Sequence, residues 1–256
     1  MQLTILFEDD SLVAVHKPAG LLVHRTYLAR KERYFAMQLV RDMVGCHVFP
    51  VHRLDRPTSG VLLFAKSASV AHQINLQFQA HTVKKDYLCL CRGWIEQGDR
   101  LDYPLKEELD AIADKFADKD KAAQDAITLY HPLAHVELDI ACGRYQTSRI
   151  SLLQMQPLTG RKHQLRRHLK HLFHPIIGDT SHGDGRYNRL FRDSLDCHRM
   201  MLIAKRLELI HPVTEQRVVI ETELEQEWLT LFEHFGWPSE QKDYDLDLDW
   251  DSILAS

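Results

Sequence analysis

The sequence predicts an α+β protein with a largely antiparallel mixed sheet flanked by helices. Short apolar or alternating runs bounded by turn residues outnumber helical stripes in the middle of the chain. Strands and helices follow one another without a βαβ rhythm, and there is no P-loop, dinucleotide fingerprint or internal repeat. At 256 residues and 45% hydrophobic content, the chain can bury a full core and lies near the upper size for a single one. The expected organisation is one bilobed catalytic domain over residues 1–239, with a charged insert at about 105–125, followed by an acidic tail at 240–256.

Taken in order, residues 3–7 and 12–16 flank the turn Glu8-Asp9-Asp10-Ser11 and read as paired strands, before Lys17-Pro18-Ala19-Gly20 breaks the pattern. Residues 61–65 form a short buried strand behind Pro57 and Gly60. Ser67 caps a helix with apolar positions Val70, Ala71, Ile74 and Phe78. Residues 84–92 return to strand, with Cys89 and Cys91 sharing one face. The charged stretch 105–125 reads as an exposed, partly helical insert, and 127–130, 134–140 and 148–155 as strands. Thr159 is the expected N-cap of a basic helix whose stripe Leu165, Leu169, Leu172 and Phe173 ends before Pro175. Strands at 207–210 and 218–220 precede a second amphipathic stripe, Leu224, Trp228, Leu231, Phe232 and Phe235. In the tail, Asp alternates with Leu and Trp, which suggests docking, although a frayed terminus is the default for a chain end.

Five cysteines with no C-x-x-C spacing point to buried thiols rather than to disulfides or a zinc ribbon. No long apolar segment or basic, apolar leader is evident, so a cytoplasmic protein is expected. The formal charge of -4 is unevenly placed. Residues 221–239 carry five glutamates and no Lys or Arg, and 240–256 carry Glu240 and five aspartates against Lys242. Two segments of -5 each therefore leave +6 on residues 1–220. A basic body with an acidic end is compatible with a polyanionic partner.

The run His52-Arg53-Leu54-Asp55-Arg56-Pro57-Thr58-Ser59-Gly60 sets one carboxylate between two arginines in a turn leading into a strand. Asp55 is either a nucleophile or a turn cap aided by Thr58 and Ser59. These nine residues resemble the HRLD-x-x-TSG signature of RluA-type pseudouridine synthases, and Ala65-Lys66 follow as in that family. Two further segments stand in the family's order. Lys17-Pro18-Ala19-Gly20-Leu21-Leu22-Val23-His24 is similar to K-P-x-G-x-x-x-H. Leu158-Thr159-Gly160-Arg161-Lys162-His163-Gln164-Leu165-Arg166 continues to Pro175-Ile176-Ile177-Gly178-Asp179. Ile203 and His182 depart from the common form, which often has histidine and tyrosine there.

The resemblance, over roughly residues 3–220, implies the pseudouridine synthase catalytic fold with a central RNA-binding cleft. It also implies a cofactor-independent isomerase that detaches uracil from C1′, turns it and rejoins it through C5. By position it makes Asp55 the nucleophile, with attack at C1′ and addition to C6 both open. Arg166 becomes its guanidinium partner, Tyr87 of Lys85-Asp86-Tyr87 packs on the uracil, and Leu202 lines the pocket. Arg53 fills the stack vacated by the flipped base, and Arg161, His163 and Gln164 contact substrate. No metal is expected: His163, His168, His171 and His174 lack a completing carboxylate or thiol and have basic neighbours.

The insert from Asp102 to Ala117, with Gly93-Trp94, Val23-His24-Arg25 and Phe235-Gly236-Trp237, resembles the branch that modifies tRNA at position 65 in the T stem. The absence of an S4-like segment ahead of the first motif fits that branch. The expected partner is therefore tRNA, bound by a monomer without membrane association. Ribosomal RNA as substrate, or noncatalytic RNA binding on the same fold, are the alternatives.

Overall fold

The computed structural model describes residues 1–25, 32–108, 122–238, 244 and 246–255. Residues 109–121 of the charged insert lie outside these residues. The strands among the described residues are β1 (Thr4–Glu8), β2 (Leu12–Lys17), β3 (Phe49–Pro50), β4 (Ser59–Ala65), β5 (Lys84–Arg92), β6 (Asp99–Asp102), β7 (Ile127–Leu138), β8 (Ser148–Pro157), β9 (Leu202–Ile210) and β10 (Arg217–Glu221). The helices among the described residues are α1 (Ala36–Val44), α2 (Ala68–Gln79), α3 (Gln164–His171), α4 (Gly185–Leu195), α5 (Gln226–Phe235) and α6 (Trp250–Ala255). The sheet order is β1-β2-β4-β9-β5-β8-β7-β6, with β10 on β9 and β3 on β4, an α+β architecture as expected.

The chain divides into two compact units. The first comprises Met1–Lys85, Pro104–Asp125 and Arg206–Thr222. Its β1, β2 and β4 form antiparallel ladders in which Ala14 faces Leu63 and Lys17 faces Gly60. Every residue of β4 is buried. Leu12, Ala14, Leu63 and Ile74 join Leu207 and Ile220 in the core of this unit. Burying each of the leucine and isoleucine side chains contributes about 1.5–3 kcal/mol. The expected Ser67 cap is present, its Oγ accepting from the Val70 N–H at 3.3 Å.

The second unit comprises Asp86–Tyr103, Ala126–Lys205 and Glu223–Ser256. Here β5 pairs antiparallel with β8, and β8 with β7. Both faces of the sheet are covered. Leu88, Leu90, Ile150 and Leu152 pack with Phe191 of α4 and with Trp228 and Phe232 of α5, whereas Cys89, Cys91, Leu153 and Met155 pack with Leu165 and Leu169 of α3. Burial raises the pKa of Cys89, with help from Cys91, and takes the Cys91 thiol to about 12. Cys46 departs from the buried-thiol expectation and is exposed.

Several elements differ from the sequence reading; β9 begins at Leu202 rather than at the expected 207. The strands expected at 127–130 and 134–140 are one strand, β7, because a register shift between Pro132 and Ala134 accommodates the proline within the ladder. Thr159 does not cap α3. Its Oγ1 accepts from the Ile127 N–H and donates to Gln164 Oε1, and the helix begins after His163, which adopts a left-handed φ of 55°. Phe173 leaves the expected apolar stripe and is 79% exposed. The acidic tail is not simply frayed where it is described: Leu246 is buried in the second unit's core and its carbonyl accepts from Gln154 Nε2 at 2.9 Å.

Candidate active site

In the first unit, the backbone closes the Asp55 turn. The Thr58 N–H donates to the Asp55 carbonyl at 3.1 Å, so this closure makes no demand on the carboxylate. Leu54, Thr58 and Ser59 are buried beside it and anchor the turn to β4. Lys17 is wholly buried, and its Nζ donates to the carbonyls of Pro18 (3.0 Å), Leu21 (2.9 Å) and Arg56 (3.2 Å). The Gly20 N–H also reaches the Arg56 carbonyl at 2.8 Å, and Arg56 Nε returns a bond to the Gly20 carbonyl at 3.0 Å. Gly20 takes a φ of 86°, which glycine adopts without Cβ strain. The first motif thus braces the second.

His52 fixes the other side of the turn. Its Nε2 accepts from the Leu63 N–H at 2.9 Å, and its ring stacks on Phe78 with centroids 5.4 Å apart. Burial, assisted by the charge of Lys85, lowers its pKa to about 4, while burial draws Lys85 down to about 8. The imidazole is therefore a neutral acceptor at pH 7. Arg53 points the opposite way in character: it is exposed, and no group among the described residues bonds or pairs with it.

In the second unit, α3 carries Arg166, whose side chain is 4% exposed against 1% for Asp179. Arg166 Nε donates to Asp179 Oδ2 at 2.7 Å and Nη2 to Oδ1 at 2.8 Å, a bidentate clamp on one edge of the guanidinium. Oδ1 also accepts from the N–H groups of Ser181 (2.8 Å) and His182 (3.0 Å). Burial acts to raise the Asp179 pKa, but the bonds from Arg166, His182 and Ser181 outweigh it and hold the carboxyl below its ordinary value. The preceding Gly178 has a φ of 78°, and a Cβ there would run into the Arg199 carbonyl.

A model of the family described as RNA pseudouridylate synthase matches residues 11–171. The chain belongs to that family. A tRNA pseudouridine synthase C from Vibrio cholerae is 57% identical over 235 residues, covering 92% of this chain and 96% of the relative. One from Haemophilus ducreyi is 53% identical over 237 residues, covering 93% and 97%. The solved structure of Human RNA Pseudouridylate Synthase Domain Containing 1 superposes with a TM-score of 0.66 at 26% identity, covering 87% of this chain and 84% of its own.

Of the residues singled out from the sequence, Asp55 and Arg53 lie in the first unit. Tyr87, Arg161, His163, Gln164, Arg166 and Leu202 lie in the second. Tyr87 and buried Leu202 share one cluster with Leu165 and Leu169 of α3. Beside Tyr87, buried Asp86 accepts from Gln154 Nε2 (3.1 Å) and Gln156 Nε2 (3.2 Å), which pins that end of β5. Gln164 spends its amide on protein: Nε2 donates to the Ile127 carbonyl and Thr128 Oγ1, and Oε1 accepts from Thr159 and the Arg161 N–H. His163 Nδ1 lies 3.0 Å from His182 Nε2, so one position that departs from the common family form touches the third motif.

Two members of the constellation escaped the sequence reading, Lys17 and Asp179. Both stand inside quoted motifs, yet each acts through a partner that spacing alone does not identify.

Proposed function

We propose that this pseudouridylate synthase isomerises uridine to pseudouridine in tRNA, at position 65 in the T stem, with Asp55 as nucleophile. The observation that carries the tRNA assignment is the 57% identity to a tRNA pseudouridine synthase C over nearly the whole of both chains. The braced turn supports the role of Asp55: Lys17 and Gly20 hold it through the Arg56 carbonyl, and Thr58 through the Asp55 carbonyl.

In this reading the extruded uridine meets Asp55, which attacks C1′ or adds to C6, and the uracil turns and rejoins through C5 with no net redox change. Arg166 orients the carboxylate with the guanidinium edge that Asp179 does not clamp. Tyr87 packs on the uracil against an apolar wall that includes Leu202. Arg53 enters the vacated stack, where a planar cation is suited to bases. Arg161 and His163 meet the RNA backbone, and Gln164 serves binding by holding their loop. The reaction needs no cofactor or metal, and the tRNA substrate puts the protein in the cytoplasm, acting as a monomer.

The test is pseudouridine mapping of tRNA and ribosomal RNA treated with wild type or Asp55→Ala. One new pseudouridine in the tRNA T stem, lost in the variant while RNA binding persists, is expected. Modification of ribosomal RNA alone would overturn the substrate assignment, and an active Asp55→Ala protein would overturn the mechanism.

A further inference from the structure

Helix α3 ends in an arrangement that glycine ordinarily serves. The His174 N–H bonds back to the Leu169 carbonyl at 2.9 Å and the Phe173 N–H to the Lys170 carbonyl at 3.0 Å, the paired bonds of a Schellman motif. The residue at its left-handed position is Phe173, with a φ of 62°. A phenylalanine there carries Cβ strain that glycine would not. The strain gains no burial, since Phe173, at 79%, is the most exposed large hydrophobic side chain among the described residues. Its backbone is nonetheless held: Arg92 Nη2 donates to the Phe173 carbonyl at 2.7 Å, and His174 Nδ1 lies 2.8 Å from the Arg92 carbonyl.

The surroundings are cationic and aromatic. Lys170 and His171 are exposed on the last turn of α3, and the His171 ring stacks on Tyr103, itself 40% exposed, with centroids 3.6 Å apart and planes at 17°. The nearby carboxylate of Asp102 is matched by Arg100 at 3.2 Å. A rigid, outward aromatic beside cations is the combination that holds unpaired nucleotides, because every base offers a π-face and every nucleotide a phosphate.

We infer that Phe173 is a stacking contact for an unpaired nucleotide of the substrate tRNA, other than the target uridine, with Lys170 and His171 taking the adjoining phosphate. This rests on the tRNA reading above. Three variants, Phe173→Gly, Phe173→Leu and Phe173→Trp, separate stacking from packing. For each, the tRNA Kd is measured by filter binding, KM and kcat by pseudouridine formation, and Tm by thermal melting.

Phe173→Gly should melt at or above the wild-type temperature, because strain is relieved and no core is lost. Its Kd and KM for tRNA should rise about 5- to 10-fold with kcat unchanged, the range expected for one partly exposed base–aromatic stack. Phe173→Trp should keep wild-type affinity, and Phe173→Leu should bind tRNA as weakly as Phe173→Gly. A Kd within twofold of wild type for Phe173→Gly would overturn the inference, as would a Leu variant that binds as well as Trp or a Tm lowered by several degrees. Failure of the wild type to form pseudouridine would instead count against the proposed activity, and the Kd series would still decide the role of Phe173.

Discussion

Replacing Asp179 by Asn tests whether the Arg166 clamp matters for the reaction or only for the fold. The pair is bidentate and almost wholly buried, and Asp179 Oδ1 serves two backbone N–H groups besides. Removing one partner of such a pair costs about 3–5 kcal/mol, because the remaining charge is left uncompensated. Asparagine keeps one acceptor oxygen and the same shape, so about 3 kcal/mol is expected in urea unfolding at pH 7. The sign of the pH dependence follows from the depressed carboxyl. The folded-state pKa lies below the ordinary 3.8, so the pair's contribution is complete above that value and is lost as pH falls through the folded one. The difference between wild type and variant should therefore shrink on strong acidification.

Activity is the second readout. A guanidinium released from the Asp179 clamp is no longer held in place, and misplacement by about 1 Å costs on the order of 100-fold in rate. Single-turnover pseudouridine formation at saturating tRNA should fall by about that factor in Asp179→Asn, with KM little changed. A folded variant with a single-turnover rate within twofold of wild type would refute the positioning argument, and unchanged urea stability would refute the energetic one.

Lys17→Met removes the ammonium shared by the Pro18, Leu21 and Arg56 carbonyls, so a loss of about 1–3 kcal/mol in urea unfolding is expected, with lower kcat because the Asp55 turn loses its brace. The depressed His52 pKa means that the unfolded chain takes up a proton between pH 6.5 and about 4 that the folded one refuses; the associated stability is complete above 6.5 and is lost as pH falls to about 4. Urea titrations of His52→Gln across that window should show a loss smaller than that of wild type by roughly 2–3 kcal/mol. Arg53 is exposed and pairs with no group among the described residues, so Arg53→Ala should leave Tm unchanged while reducing the salt slope of tRNA binding by up to about one unit and slowing turnover.

Local order was readable where one residue type had one physical use. Ser67 before an apolar stripe gave the start of α2, and the alternation around Cys89 and Cys91 gave β5 to the residue. The reading failed where side chains had two uses. Thr159 has the character of a cap, but its hydroxyl is engaged by Ile127 and Gln164, and His163 starts α3 from a conformation that sequence does not signal. The pattern was silent on α4, because only Leu190 and Phe191 are buried, although Asp184, whose carboxylate accepts from the Arg186 N–H, was an available start signal. For the candidate site, motifs singled out Asp55 and Arg166 but not what holds them. The contacts that do so join Lys17 to Arg56 and Arg166 to Asp179, distances along the chain that no helical or strand period spans.

The basic residues of the three motifs divide by what neutralises them. Lys17 is surrounded by carbonyl oxygens and Arg166 by a carboxylate, so both have exchanged water for fixed protein dipoles and charges in the fold itself. Such groups gain little from releasing counterions on RNA binding, because they are withdrawn from solvent before RNA arrives. Arg53 and Lys170 remain in water, and it is cations of this kind that a polyanion can still neutralise. The formal excess of +6 over residues 1–220 therefore overstates the charge offered to RNA, since part of it is spent on holding the Asp55 turn and α3 in shape. Burial and partner identity, more than net charge, separate the cations that build the site from those left to meet the substrate.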